Sequence, residues 1–374
     1  MGDSRGGAEM TPVQYRQDAG LKSSDTRASS LADDYRRFVW RRVLCLGGLT
    51  LAAMTALLVD IASGPSMLGL LDVFRGLLNP EGIDAGTRVI IEDIRLPYAL
   101  MAVVVGACLG LAGAEMQTVL NNPLASPFTL GVGAAATLGA SLVIAFNISV
   151  LGVAAHVLLP LSAFVFAAAA SLLILVLSRT LGASVHAVVL FGIALLFGIN
   201  AVVGLIQFMA DAESVQQIVF WTMGSLARAS LDKVAIVALV LALCLPFSLR
   251  NAWAMTLLRS GEEQARSLGI RVEHMRLVVL MRVSLLTAAA MCFVGEIGFI
   301  GLVAPHIARL MLGEDHRFLL PGSALAGAVL LSLSSIASKL LVPGVVLPVG
   351  IVTALVGIPL FITLIIGRSR RAAL

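Results

Sequence analysis

Nine apolar runs organise this chain, at Val43 to Ala62, Ala99 to Gln117, Phe128 to Phe146, Leu151 to Leu177, Val188 to Met209, Val234 to Phe247, Leu277 to Gly295, Leu319 to Leu341 and Leu347 to Gly367. Most approach the ~20 residues that carry a helix across a hydrocarbon core of ~30 Å, where a helix satisfies its own backbone amides, so the pattern predicts transmembrane helices. The run from Phe128 is rich in Gly and Ala, which suits close helix packing better than lipid contact. The segment Gly295 to Arg317 breaks the regularity, because closely spaced glycines and Pro305 interrupt it and a charged cluster ends it. As one helix, Leu277 to Leu312 would be about 54 Å long at ~1.5 Å per residue, more than a bilayer needs. Gly295, Gly298, Gly301 and Pro305 are weak backbone points, so the pattern predicts one helix up to about Gly298 and a short tenth helix, Leu302 to Leu312, coming back.

Charge requires the same even number of crossings. The segment before the first run carries Arg5, Arg16, Lys22, Arg27, Arg36, Arg37, Arg41 and Arg42, and the last residues carry Arg368, Arg370 and Arg371, so both ends read as cytoplasmic. Ten spans also put Arg250, Arg259, Arg266, Arg271, Arg276, Arg309 and Arg317 inside. The expected organisation is a disordered cytoplasmic tail over 1–36, too poor in apolar residues to fold alone, a ten-helix transmembrane domain over 37–368, and a short cytoplasmic tail over 369–374. The polar start is unlike a signal peptide, and no cleavage is expected.

Composition agrees, since 59% hydrophobic and 13% charged residues with a mean hydropathy of +0.97 leave too little polar side chain to coat a soluble globule. Cys45, Cys108, Cys244 and Cys292 all fall in apolar segments without CxxC or Cys/His spacing, and read as small hydrophobes. The three lysines, Lys22, Lys233 and Lys339, are none of them preceded by Gly, so a GxxxxGK[ST] phosphate loop is excluded and any ATP hydrolysis must occur on another polypeptide. Nothing in the chain points to covalent catalysis, a resident cofactor, a metal site or a nucleic-acid partner.

Two connecting segments are long enough to hold structure. Ser63 to Ile94 mixes acidic and basic residues and lies outside under this topology. Asn251 to Met275 is cytoplasmic and amphipathic, reading as two short helices around Gly261 and Gly269; it is either a solvated surface connector or a docking element for a soluble partner. Glu115, Arg282 and Glu296 lie in or near apolar spans, where ionisable groups are costly. Structural or pathway-lining roles, substrate contact and proton coupling are all open for them. His306, following Pro305, suggests either a metal ligand or a structural and gating residue. The methionines show no common spacing and read as space-fillers, and GxxxG at Gly106 to Gly110 reads as a helix-packing face.

From about Trp40 to Arg368 the chain resembles the membrane subunit of ABC importers for vitamin B12, haem and ferric siderophores, the FecCD-type permeases. The blocks occur in family order: IRLPYALMAVVVGACLGLAGAEMQ (Ile94 to Gln117), NNPLASPFTLGVGAAATLGA (Asn121 to Ala140), GEEQARSLGI (Gly261 to Ile270), GFIGLVAPHIARL (Gly298 to Leu310), DHRFLLPGSALAGA (Asp315 to Ala328) and LPVGIVTALVGIPLF (Leu347 to Phe361). The resemblance implies an all-α integral membrane protein of about ten transmembrane helices with cytoplasmic coupling helices, in the bacterial cytoplasmic membrane. It implies a second permease subunit, identical or paralogous, two ABC ATPase subunits carrying ATP and Mg2+, and an extracytoplasmic substrate-binding protein. The implied activity is alternating-access import of a ferric siderophore, with haem or cobalamin as alternative cargoes; a proton-coupled secondary transporter and a channel or structural subunit are the rival classes.

Residue roles follow from the same resemblance. Gly261, Glu262, Ala265, Arg266, Leu268 and Gly269 match the coupling helices that sit in a groove of the ATPase. Asn122, Pro123, Leu124 and Ala125 match a cytoplasmic gate, with Val185 and His186 as the opposing part. Arg95 matches an outer basic residue that docks the binding protein, and Lys339 falls where a second outer basic cluster is found, whereas Tyr98 and Val346 replace a basic and an acidic residue of the family pattern. Gly298, Gly301, Pro305 and His306 are expected in a hinge or along the translocation path.

Overall fold

The computed structural model describes residues 12–64, 69, 73, 75–76, 79, 83–148, 155–180 and 185–372, with side chains from 33 onward except 155–156, 178–180, 185–186 and 364–372. Every described element is a helix. In order they are α1 (Pro12–Ala62), α2 (Ala85–Val89), which runs through a π-helical turn (Ile90–Arg95) into α3 (Leu96–Val119), α4 (Val132–Ala145), α5 (Ala155–Thr180), α6 (Val185–Met209), α7 (Ala212–Thr222), α8 (Leu231–Arg250), α9 (Ala252–Ser260), α10 (Glu262–Ser267), α11 (Val272–Val294), α12 (Ile300–Leu312), α13 (His316–Leu340) and α14 (Val349–Ala372). Among the described residues seven helices are long and apolar enough to cross a membrane, and three shorter apolar helices, α4, α12 and the described part of α14, complete the expected ten.

The chain divides into two units, Met1–Cys45 and Leu46–Leu374. In the first, the disorder expected over 1–36 gives way to helix from Pro12. Pro12 occupies the first helical position, where its missing N–H costs nothing. Lack of apolar residues argues against an independent core, not against a helix. Arg37 pairs with Asp34 (2.8 Å), and the Arg42 guanidinium stacks 3.5 Å above the Phe38 ring.

In the second unit α3 is the central helix, with all side chains from Val105 to Val119 buried. Its glycines explain how. A Cβ on Gly106 or Gly110 would collide with the carbonyl oxygen of Gly327 or Ser323 on α13, so the two backbones touch directly and the GxxxG face serves packing. α5, α6 and α8 instead turn Leu161, Phe197 and Leu239 outward, as a hydrocarbon surround requires.

The break between α11 and α12 occupies Gly295–Phe299. Gly295 (φ 79°) and Phe299 (φ 67°) both hold left-handed backbone conformations, and a Cβ on Gly295 would meet the Trp221 carbonyl. The helix starts slightly earlier than expected, so Gly301 lies inside α12, as does Pro305, which the expected Leu302 to Leu312 helix already contained. Pro305 cannot donate to the Gly301 carbonyl four residues earlier. The Gln117 side-chain amide of α3 reaches the Gly301 and Leu302 carbonyls instead, at 3.4 Å each, and so ties α12 to α3 at this point.

Candidate functional site

At one end of the bundle, α9, α10 and the first turns of α11 pack beneath the last turn of α3. Trp253 and Leu268 are exposed on this segment while Ala252, Met255, Leu258, Ala265 and Val272 are buried, so it presents an outer face and grips the bundle with the inner one. Glu262 receives Arg276 in a short contact and Arg266 at 3.6 Å; Arg266 also pairs with Glu273 at 2.5 Å. Arg276 Nε donates to the Val119 carbonyl (3.2 Å), which joins α10 to the end of α3 through a single side chain.

The chain leaves α3 through Asn121, whose left-handed backbone (φ 40°) suits asparagine. Asn122 Oδ1 accepts the Leu124 N–H (2.9 Å), which sets the turn through Pro123, with Leu124 49% exposed and Ala125 buried. Arg259 of α9 donates to Asn121 Oδ1 at 2.6 Å. Glu314 lies between Arg259 (3.6 Å) and Arg309 (3.1 Å), and Arg309 reaches Gln117 Oε1 (3.2 Å). Beneath these charges lies His316, fully buried, with Nε2 2.7 Å from Thr118 Oγ1 of α3 and Nδ1 3.1 Å from Thr256 Oγ1 of α9. The predicted coupling segment and the predicted Asn122–Ala125 gate are thus brought together.

Other expectations need correction. Ala265 is fully buried against the chain's own core, so it anchors α10; Leu268, 54% exposed, and Gly269 (φ 83°), which closes the helix, lie on the outer side. Val185 and His186 begin α6, but their side chains lie outside the described residues. Arg95 and Lys339 do not form an exposed docking patch. Lys339 is buried, with Nζ 2.7 Å from Asp60 Oδ1, 2.9 Å from the Asp60 carbonyl and 4.3 Å above the Tyr98 ring. Arg95, also buried, donates to the Ala62 (2.8 Å) and Ile61 (3.2 Å) carbonyls at the end of α1. The physical reason is Asp60: an acid at the end of an apolar helix must be paired, and these cations close over that helix end. Ser335 Oγ completes the shell at 2.7 Å from both Asp60 carboxylate oxygens. Ser335→Ala is expected to cost about 1.5–3 kcal/mol, the range for a hydrogen bond to a charged group, read as a lower melting temperature in detergent.

Two intramembrane acids differ. Glu115 of α3 is bound by Arg282 of α11, with Nε 2.9 Å from each carboxylate oxygen and Nη2 2.5 Å from Oε1. Glu296 is half-buried in the α11–α12 break against Gly133 of α4, where the missing side chain leaves room for its carboxyl. His306 is half-buried on α12. Sequence reasoning did not assign His316, Thr118, Thr256, Arg259, Glu314, Asp60 or Ser335 to these clusters. Only the charged run Gly313 to Arg317 hinted at part of the set.

Among the described residues, ten apolar helices around a glycine-packed centre, with a short amphipathic helix pair joined to one end, have the architecture of a multi-pass membrane protein. The chain belongs to the FecCD transport family, whose profile matches residues 51–367. HmuU of Yersinia pestis, a hemin transport system permease protein, is 38% identical over 325 residues, covering 86% of this chain and 97% of that protein. BtuC of Vibrio vulnificus, a vitamin B12 import system permease protein, is 34% identical over 324 residues, 86% of this chain and 95% of that one. A solved structure described as an inward-facing conformation of a metal-chelate type ABC transporter superposes with a TM-score of 0.74 at 30% identity, covering 87% of this chain and 99% of that one. The chain is accordingly a permease subunit of ABC-importer type, not the ATPase itself.

Proposed function

We propose that this chain moves a ferric siderophore or related iron chelate across the cytoplasmic membrane by alternating access, paired with a second permease subunit. Two ABC ATPase subunits, carrying ATP and Mg2+, engage the outer face of α9–α10, and an extracytoplasmic binding protein delivers cargo to the opposite end. The observation that carries this reading is the direct linkage of α9–α10 to the Asn122–Ala125 turn through Arg259 and Asn121, which gives a movement imposed on the coupling segment a route to a gate. The arginines at both termini and around α9–α11 support a cytoplasmic position for these segments. Hemin and vitamin B12 are both metal chelates, so the similarity to HmuU and BtuC favours cargo of that class, with haem or cobalamin as the alternative to a siderophore.

The test is reconstitution with the partner ATPase and binding protein, the latter loaded in turn with siderophores, haem and cobalamin. ATP-dependent uptake with ATPase stimulation by one loaded form is expected. Uptake driven by a pH gradient without the ATPase would overturn the proposal.

A further inference from the structure

We propose that His316 is a positioning residue that transmits movement of α9 into the end of α3, and so into the Asn122–Ala125 turn, by bridging Thr256 and Thr118 through its two ring nitrogens. The inference rests on the reading of α9–α10 as the coupling segment and adds the buried connection through which that segment acts.

The bridge is reciprocal at both ends. Thr118 Oγ1 lies 2.8 Å from the Ala114 carbonyl and 2.7 Å from His316 Nε2. Thr256 Oγ1 lies 2.9 Å from the Ala252 carbonyl and 3.1 Å from Nδ1, and accepts the His316 backbone N–H at 3.1 Å. Each hydroxyl has one proton and a neutral ring one N–H, so one threonine gives its proton to the ring instead of its own helix carbonyl while the other accepts from the ring. Thr256 thus holds His316 by backbone and ring together, and the ring holds Thr118.

Burial distinguishes this connection from its neighbours. Arg259–Asn121 and Arg276–Glu262 lie in part-exposed surroundings where water screens them, whereas His316 and Thr118 are shut inside the bundle. In that low-dielectric setting an unmade hydrogen bond is costly, so α9 cannot shift against α3 without carrying the ring along. Thr118 is the penultimate residue of α3, and the gate turn starts four residues later. A displacement at Thr256 is thereby delivered next to the turn by one rigid side chain.

The experiment compares Thr118→Val, Thr118→Ser and His316→Gln in the reconstituted complex, reading cargo moved per ATP hydrolysed, with co-purification of the ATPase as the assembly control. Thr118→Val, isosteric but unable to hydrogen-bond to the ring, is expected to lower cargo per ATP at least about fivefold, the lower end of a typical intersite coupling. Thr118→Ser should restore it, and adding His316→Gln to Thr118→Val should cost little more. Unchanged cargo per ATP in assembled Thr118→Val, or fully additive losses, would overturn the bridge. Nitrogen-15 NMR of the histidine-labelled permease reads the bridge without any transport: a His316 ring signal that shifts in Thr118→Val and returns in Thr118→Ser is expected, and ring signals identical in the wild type and Thr118→Val would refute the bridge. Absence of ATP-dependent uptake by the wild type would sink the proposed function instead, and the NMR result would still decide the bridge.

Discussion

Arg282→Met is expected to collapse the permease at temperatures where the wild type survives, costing about 3–5 kcal/mol, the range for removing one partner of a buried ion pair. The Glu115 carboxylate has no exposed surface and Arg282 is 6% exposed, with both carboxylate oxygens bound by the guanidinium. Without Arg282, α3 would keep a carboxylate in the apolar interior against α11, and its desolvation would no longer be offset. Glu115→Leu combined with Arg282→Met removes both charges and is expected to recover most of the loss, because well-packed apolar groups commonly replace a buried pair at little cost. The measurement is the temperature at which the monodisperse peak is lost on heating in detergent. Single-variant stability equal to the wild type, or a double variant no better than the single, would contradict the framework role. If the double variant is stable and still imports cargo, proton coupling through Glu115 is also removed from consideration.

The helices were readable because a bilayer imposes long apolar runs that local pattern records directly, and the α11–α12 break was readable because glycines and a proline mark weak backbone. The boundaries moved by a few residues: α12 begins at Ile300, and the backbone strain falls on Gly295 and Phe299. The amphipathic α7 escaped notice because a short helix at a membrane edge makes no long apolar run. The clusters were hidden for a different reason. Asp60 meets Lys339 across 279 positions, and Thr118 meets His316 across 198, and nothing local to either residue encodes its partner. Family likeness pointed to a coupling segment and a gate turn, and the structure places the two side by side. It gave no sign that Arg95 and Lys339 would be buried, because the acid that captures Lys339 belongs to α1, outside the blocks that carry the resemblance.

Gly110→Val is expected to abolish the folded permease, whereas Gly48→Ala in α1 is expected to leave it intact. The two glycines lie in equally apolar helices, and composition does not distinguish them. At Gly110 an added Cβ strikes the Ser323 carbonyl oxygen and crowds the Gly327 backbone, and neither can rotate away as a side chain would; at Gly48 it meets nothing within 4 Å. Relieving the clash means separating α3 from α13. That loosens the backbone contact at Gly106 and Gly327 and, further along the same helix pair, the approach of Thr118 to His316. Overpacking a dense core costs about 1–3 kcal/mol where side chains can adjust, and a backbone-on-backbone collision should exceed that range. Gly48→Ala gains up to about 1 kcal/mol of helix propensity with no opposing contact. Both variants are to be followed by yield and thermal survival in detergent. Equal survival of Gly110→Val and Gly48→Ala would mean that α3 and α13 are not in backbone contact.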